Sequence, residues 1–224
     1  MAYSDFTLRK VKQSFGLTAV EGGRFLPEVE PIAPSAILAG LLEDTVPWAI
    51  AVGTEKAKSE LIIAPVLLEV KRLLNRQISV FSGTDFTVDI AASLNGVCDF
   101  LISRSPEQFE IEAPAVVLVE AKLDNINSGL GQCIAEMVAA QRFNEINNNP
   151  IPTIYGSGTS GTAWRFMKLE GQIVTIDVRD YPSVETILSM LVWMVREMVK
   201  KKSLVISQQL ALSSQQSVVI GDRN

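Results

Sequence analysis

The run Val116-Val117-Leu118-Val119, followed at once by Glu120-Ala121-Lys122, constrains this chain more than any other segment. An apolar run of this kind reads as a strand buried on both faces. A second apolar segment, Val97-Cys98-Asp99-Phe100-Leu101-Ile102, precedes it and carries one acid. Side chains alternate along a strand, so Glu120 and Lys122 point the same way. Charges taken out of water need a partner or a metal. The sequence therefore gathers two acids and one ammonium at the end of a sheet. That is the minimum set for Mg²⁺-dependent phosphodiester chemistry.

Composition narrows the remaining choices. The chain has 224 residues, 47% hydrophobic and 20% charged, enough for one full core with appendages. A net charge of −5 argues against a surface that coats polyanions generally. The absence of histidine removes His-activated nucleophiles, His-ligated zinc and His general acid–base chemistry. Cys98 and Cys133 form no close ligand pair and no disulfide framework, which suits a reducing cytoplasm. Met1-Ala2-Tyr3-Ser4-Asp5 does not open a secretory signal. The apolar stretch Ile187 to Val195 falls well short of the roughly 20 residues that span a bilayer, so no membrane partner is expected.

The hydrophobic period divides the chain. Residues 1–53 read as a helical extension, with Pro34 opening an apolar helix at Ser35–Leu42. Thr54 to Asn75 reads as a helix that Pro65 kinks or splits. Ile78–Phe81 and Phe86–Ile90 alternate as strands, with Gly83 between them. After the two acid-bearing strands, Asn127 or Ser128 is expected to cap a helix reaching about Asn147. Ile151–Tyr155 reads as a short strand, and Glu170-Gly171 as the turn of a hairpin. Pro182 to Lys202 is amphipathic and ends on Lys200-Lys201-Lys202. Its apolar face suits the core or a partner subunit. Residues 203–224, rich in Ser and Gln, form a tail. The order predicts an α/β sandwich around a mixed sheet.

Hard oxygen donors suit Mg²⁺, and the carbonyl of Ala121 lies between the two charged side chains. A cation held by Asp99 and Glu120 would polarise a phosphate and acidify a water, with Lys122 orienting that water or meeting developing charge. The residues alone equally allow a buried Glu–Lys pair with Asp99 as a strand-end acid. Gln132 and Glu136 stand one helical turn apart and share a face. Gly156-Ser157-Gly158-Thr159-Ser160-Gly161 spells G-x-G-x-x-G, but Thr162 to Leu169 alternates like a strand. A dinucleotide fingerprint needs a helix there, so a flexible loop is expected instead. Lys56, Lys58, Lys71, Arg72 and Arg76 read as a solvated helix face more readily than as a phosphate-binding patch.

These elements together resemble the PD-(D/E)XK nuclease superfamily. In that family a helix bearing a Glu precedes a three-strand meander, an Asp sits on the second strand, E-x-K on the third, and a helix often carrying Gln follows. Asp99 matches the Asp, Glu120 and Lys122 match E-x-K, and Gln132 matches the helix Gln. Glu60, in Lys58-Ser59-Glu60-Leu61-Ile62-Ile63, matches the helix acid, with Glu69 as the spare. Cys98 stands where the family usually has Pro. The resemblance covers about residues 55–178. It implies a restriction-endonuclease-like α/β/α sandwich with an αβββαβ core, the nuclease-like domain occupying residues 54–202. It also implies a Mg²⁺- or Mn²⁺-dependent nuclease. Asp99, Glu120 and the Ala121 carbonyl would hold metal, Lys122 would assist the water, and Gln132 and Glu60 would complete the site. The implied partners are nucleic acid, DNA first, and a second copy of the chain.

Overall fold

The computed structural model describes residues 2–22 and 24–197. Seven strands form one mixed sheet: β1 (Thr18–Glu21), β2 (Ser79–Asp85), β3 (Val97–Ser103), β4 (Ala115–Ala121), β5 (Ile154–Thr159), β6 (Trp164–Glu170) and β7 (Ile173–Ile176). Their spatial order is β1-β7-β6-β5-β4-β3-β2. The β1–β7 and β4–β5 pairs are parallel, and the other four are antiparallel. β4 sits inside the sheet, and all seven of its residues are buried, as its unbroken apolar run requires.

The helices are α1 (Leu8–Phe15), α2 (Ala36–Val52), α3 (Glu55–Lys58), α4 (Ala64–Leu73), α5 (Ile126–Ile146) and α6 (residues 184–197). Register places Phe100, Val119, Val117 and Tyr155 on one face of the sheet. Tyr155 meets Trp193 of α6 edge-on at 5.8 Å between ring centroids, and Phe100 shares a cleft with Ala64, Pro65 and Leu68 of α4. So α4 and α6 cover that face. α5 covers the other: a Cβ on Gly156 would lie 2.4 Å from Met137 Sδ. Among the described residues, no helix is long and apolar enough to cross a membrane.

Several local expectations change. The first 53 residues are not wholly helical, because β1 pairs with β7 and closes one edge of the sheet. β2 runs through Gly83, and Phe86–Ile90 is a loop with an isolated Asp89–Leu94 bridge rather than a strand. The alternation at 86–90 reflects packing of Phe86 into the core rather than a strand. The stretch from Gly156 to Thr159 is not a loop, for it belongs to the buried β5. Its glycines are there because α5 lies too close for side chains, with Ile126 Cγ2 2.7 Å from a Cβ on Gly158. Asn125, not Asn127 or Ser128, caps α5, accepting from Asn127 N at 3.0 Å.

Pro65 does not break the helical run. A π-helical turn at Ser59–Ile63 joins α3 to α4. Proline has no N–H to offer the carbonyl of Leu61, and the Thr45 hydroxyl of α2 donates to that carbonyl at 2.8 Å. Lys200-Lys201-Lys202 and the tail lie outside the described residues.

Candidate functional site

The ladder between β3 and β4 runs from Ser103 to the pair Phe100↔Val119 and then stops. Beyond that pair the Asp99 side chain enters between the strands, and its Oδ2 accepts the Ala121 backbone N–H at 2.8 Å. A ladder hydrogen bond is thus exchanged for a charge-assisted one, and Asp99 is fixed beside Glu120. On the far side β4 stays zipped to β5, where Lys122 N donates to Thr159 O at 2.8 Å. The E-x-K segment is held rigid from both sides, which is what a preorganised site needs.

Glu120 is 1% exposed. Its Oε1 is ion-paired with the Lys122 ammonium, and its Oε2 has no hydrogen-bond partner. Burial, then the Asp99 charge, push the Glu120 carboxyl up to about 8. Burial pulls the Lys122 ammonium down, but the Glu120 carboxylate outweighs it, so Lys122 titrates above its ordinary value. α5 crosses over this pair at Gly129, where a Cβ would stand 2.9 Å from Lys122 Cγ and 3.1 Å from Glu120 Cγ.

The other expected residues fall in different places. Glu60, in the π turn, is exposed and ion-paired to Lys56 at 3.6 Å. It lines a cleft of about 340 Å³ together with Glu55, Ser59, Ser82 and Asp99. Glu69 points elsewhere: it accepts from Ser35 N at 3.0 Å and pairs with Arg72 at 3.5 Å, holding the start of α2. Gln132 is directed at Glu136 rather than Lys122, with Nε2 donating to Oε1 at 3.2 Å. Ala121 lies between Glu120 and Lys122 and is buried. The basic scatter is dispersed. Lys58 bonds the Leu123 carbonyl and stands 3.8 Å from Asp124, while Lys71 bonds Gln108.

One acid near the site, Glu55, was not singled out by sequence, and another, Glu136, was read there only as sharing a helical face with Gln132. The charge of Glu55 acts on both Glu120 and Lys122. Its signal was Thr54, whose hydroxyl caps α3 through Ala57 N at 3.1 Å and so places Glu55 in the first turn, at the cleft. Glu136 is 0% exposed, and burial, followed by the Glu120 charge, holds its carboxyl well above the usual range.

The donor set suits a hard divalent cation. Asp99 and Glu120 are carboxylates, and Glu120 Oε2 is buried with no hydrogen-bond partner. Among the described residues, no three His, Cys, Asp or Glu side chains already converge on one ion-sized point. No family model, curated protein or solved structure matches the chain.

Proposed function

We propose that the protein is a divalent-metal-dependent nuclease of restriction-endonuclease-like fold, of the PD-(D/E)XK type, acting on nucleic acid, DNA first. The observation that carries this reading is the opening of the β3–β4 ladder, which sets Asp99 beside a buried Glu120 with a free oxygen and Lys122 on its other oxygen. The element order α4-β2-β3-β4-α5-β5 supports the αβββαβ core. Asp99 and Glu120 are the residues that would hold Mg²⁺ or Mn²⁺. The bound ion would supply Lewis acidity and a water of lowered pKa. Lys122 keeps its proton at neutral pH and sits where it can orient that water and meet negative charge on the phosphate. Burial of Glu120 excludes bulk water from the charged pair, which strengthens each interaction there. Glu55 and Glu60 add acid to the cleft.

The test is cleavage of single- and double-stranded DNA and RNA with Mg²⁺, Mn²⁺ or EDTA, beside Glu120→Ala purified in the same way. Metal-dependent cutting that disappears in the variant supports the reading. Cutting that persists in the variant overturns the mechanism.

A second reading, a catalytically silent interaction module of the same fold, has its own observation. α2 carries only Glu43 and Asp44 as charges, and Ile37, Leu41, Trp48, Ile50 and Val52 are exposed along it. Such an apolar face marks a contact surface. This reading expects no Mn²⁺ binding at Asp99 and Glu120.

A further inference from the structure

The cleft that holds Asp99 does not stand alone. Glu60, Ser82 and Phe100 line it, and the same three residues line a second cleft of about 410 Å³. The two form one trough over β2 and β3, bordered by the π turn and α4. Its ends differ in chemistry. At the first stand Glu55, Glu60 and Asp99. At the second, Leu41 of α2, Pro65 and Leu68 of α4 and Val80 of β2 make apolar walls. Lys71 and Gln108 supply the polar groups there, the ammonium bonded to the amide oxygen. Leu68 is 58% exposed and Leu41 43%. A cleft lined this way suits a flat group with apolar faces and a polar edge.

Charge decides what kind of strand fits. The lining of the whole trough supplies two lysines, Lys56 and Lys71, against those three acids. Lys56 is paired to Glu60 at 3.6 Å. Nearby, Lys58 stands 3.8 Å from Asp124, and Arg72 3.5 Å from Glu69. Duplex binders draw much of their hold from neutralised phosphates, commonly about 6–10 of them. Two lysines do not supply that, so the apolar end has to carry binding by contact with bases. In a duplex the base faces are covered by their neighbours, and only an unpaired or extruded base enters a pocket.

We propose that the substrate is single-stranded DNA at the point of attack, and that the cleft of Leu41, Pro65, Leu68 and Val80 seats an unpaired nucleobase of a nucleotide next to the phosphate at Asp99. This rests on the nuclease reading above. The apolar walls hold the base by its faces, and the Gln108 amide and Ser82 hydroxyl are the groups that meet its edge. Seating the base fixes the neighbouring sugar–phosphate beside the acids, which supplies orientation where the lining charge cannot.

The experiment is fluorescence anisotropy of a labelled single-stranded DNA oligonucleotide, of its duplex, and of a strand of equal length built of abasic units, with Ca²⁺ in place of Mn²⁺. Cleavage with Mn²⁺ is followed in parallel, and oligomeric state by sedimentation. Wild type is compared with Leu41→Ala, Leu68→Ala and, on α2 but outside the cleft, Ile37→Ala. All three positions are exposed, so the fold is not at stake. The base-bearing strand should bind roughly ten-fold more tightly than the duplex or the abasic strand, and be cut faster than the duplex. Each Leu variant should weaken that binding about five-fold and leave the abasic strand unaffected, while Ile37→Ala changes neither. The dependence of log Kd on log salt should have a slope below about 2, because few phosphates are neutralised. Equal binding of abasic and base-bearing strands overturns the inference. So do Leu variants that bind DNA as wild type does; if they change the oligomeric state instead, the cleft belongs to a second copy. A duplex cut as fast as the single strand also overturns it and leaves the nuclease reading standing. Base-dependent binding without any cutting sustains the cleft and overturns the nuclease reading. Neither binding nor cutting by wild type overturns both.

Discussion

Asp177 on one side and Glu120 and Glu136 on the other are all buried acids, and they are treated in opposite ways. Asp177 follows β7 and is 0% exposed, yet every side of it is occupied. Tyr181 OH donates to Oδ2 at 2.7 Å, and Arg179 N donates to Oδ1 at 3.0 Å with the Arg179 guanidinium alongside at 3.3 Å. Burial alone would raise its carboxyl, but the Tyr181 and Arg179 hydrogen bonds bring it below the ordinary value. Glu120 and Glu136 are as deeply buried, each keeps an unpartnered oxygen, and both are pushed upward. A satisfied buried acid is part of the scaffold. An unsatisfied pair costs stability, and its retention points to a task that needs charge in reserve.

The contrast is broken most severely at Glu120. Glu120→Ala should lower metal-dependent cleavage roughly a thousand-fold or more, while circular dichroism reports an unchanged fold. An active Glu120→Ala enzyme would reduce the pair to a packing oddity.

Next in size is the stability difference between the two kinds of acid. Asp177→Asn removes the acceptor of a charge-assisted network and should cost about 2 kcal/mol in urea unfolding. Glu136→Gln in EDTA should cost nothing or stabilise, because an amide of the same shape replaces a buried carboxyl whose Oε2 has no hydrogen-bond partner and whose ionised form burial disfavours. Equal losses in both variants would erase the distinction.

The same acids set opposite pH limbs. Glu120, raised from 4.5 to about 8, contributes stability that is complete below the lower value and lost as pH rises through the upper one. Asp177, lowered from 3.8, contributes stability that is complete above that value and lost as pH falls below it. In EDTA the melting temperature should therefore decline between about pH 5 and about pH 8, and Glu120→Gln should flatten that decline. A wild-type profile that rises across this range would contradict the assignment.

The smallest effect is expected at the helix that closes the site. Gly129→Ala presses a Cβ to within 2.9 Å of Lys122 and 3.1 Å of Glu120, displacing flexible side chains rather than backbone. Stability should change by less than about 1 kcal/mol, while cleavage falls about ten-fold through misplacement of the pair. A variant with full activity would show that Lys122 tolerates displacement.

Much of the scaffold was legible in the residues. The Val116–Val119 run specified an interior strand, the pattern from Asn127 or Ser128 to about Asn147 a helix, and Glu170-Gly171 a hairpin, because each depends on hydrophobic period or a local turn. Asp99, Glu120 and Lys122 were legible as acids and base at strand ends for the same reason. β1 was not, because its four residues are mostly exposed and owe their strand form to pairing with β7, some 150 residues away. Gly156 and Gly158 read as loop because glycine is locally permissive, and only α5 overhead shows that they are strand residues stripped of side chains.

The candidate site divides the same way. The sequence by itself determined which chemistry is present: two strand acids, an E-x-K lysine, no histidine, and Gln132 with Glu136 on one helical face. Where the remaining acids turn was decided by tertiary structure alone. Glu69 turns to Ser35, Glu60 to Lys56, and Glu136 to Gln132. Period and capping are short-range and written in adjacent residues, whereas burial, an orphaned oxygen and the charge it feels arise only when distant segments pack together.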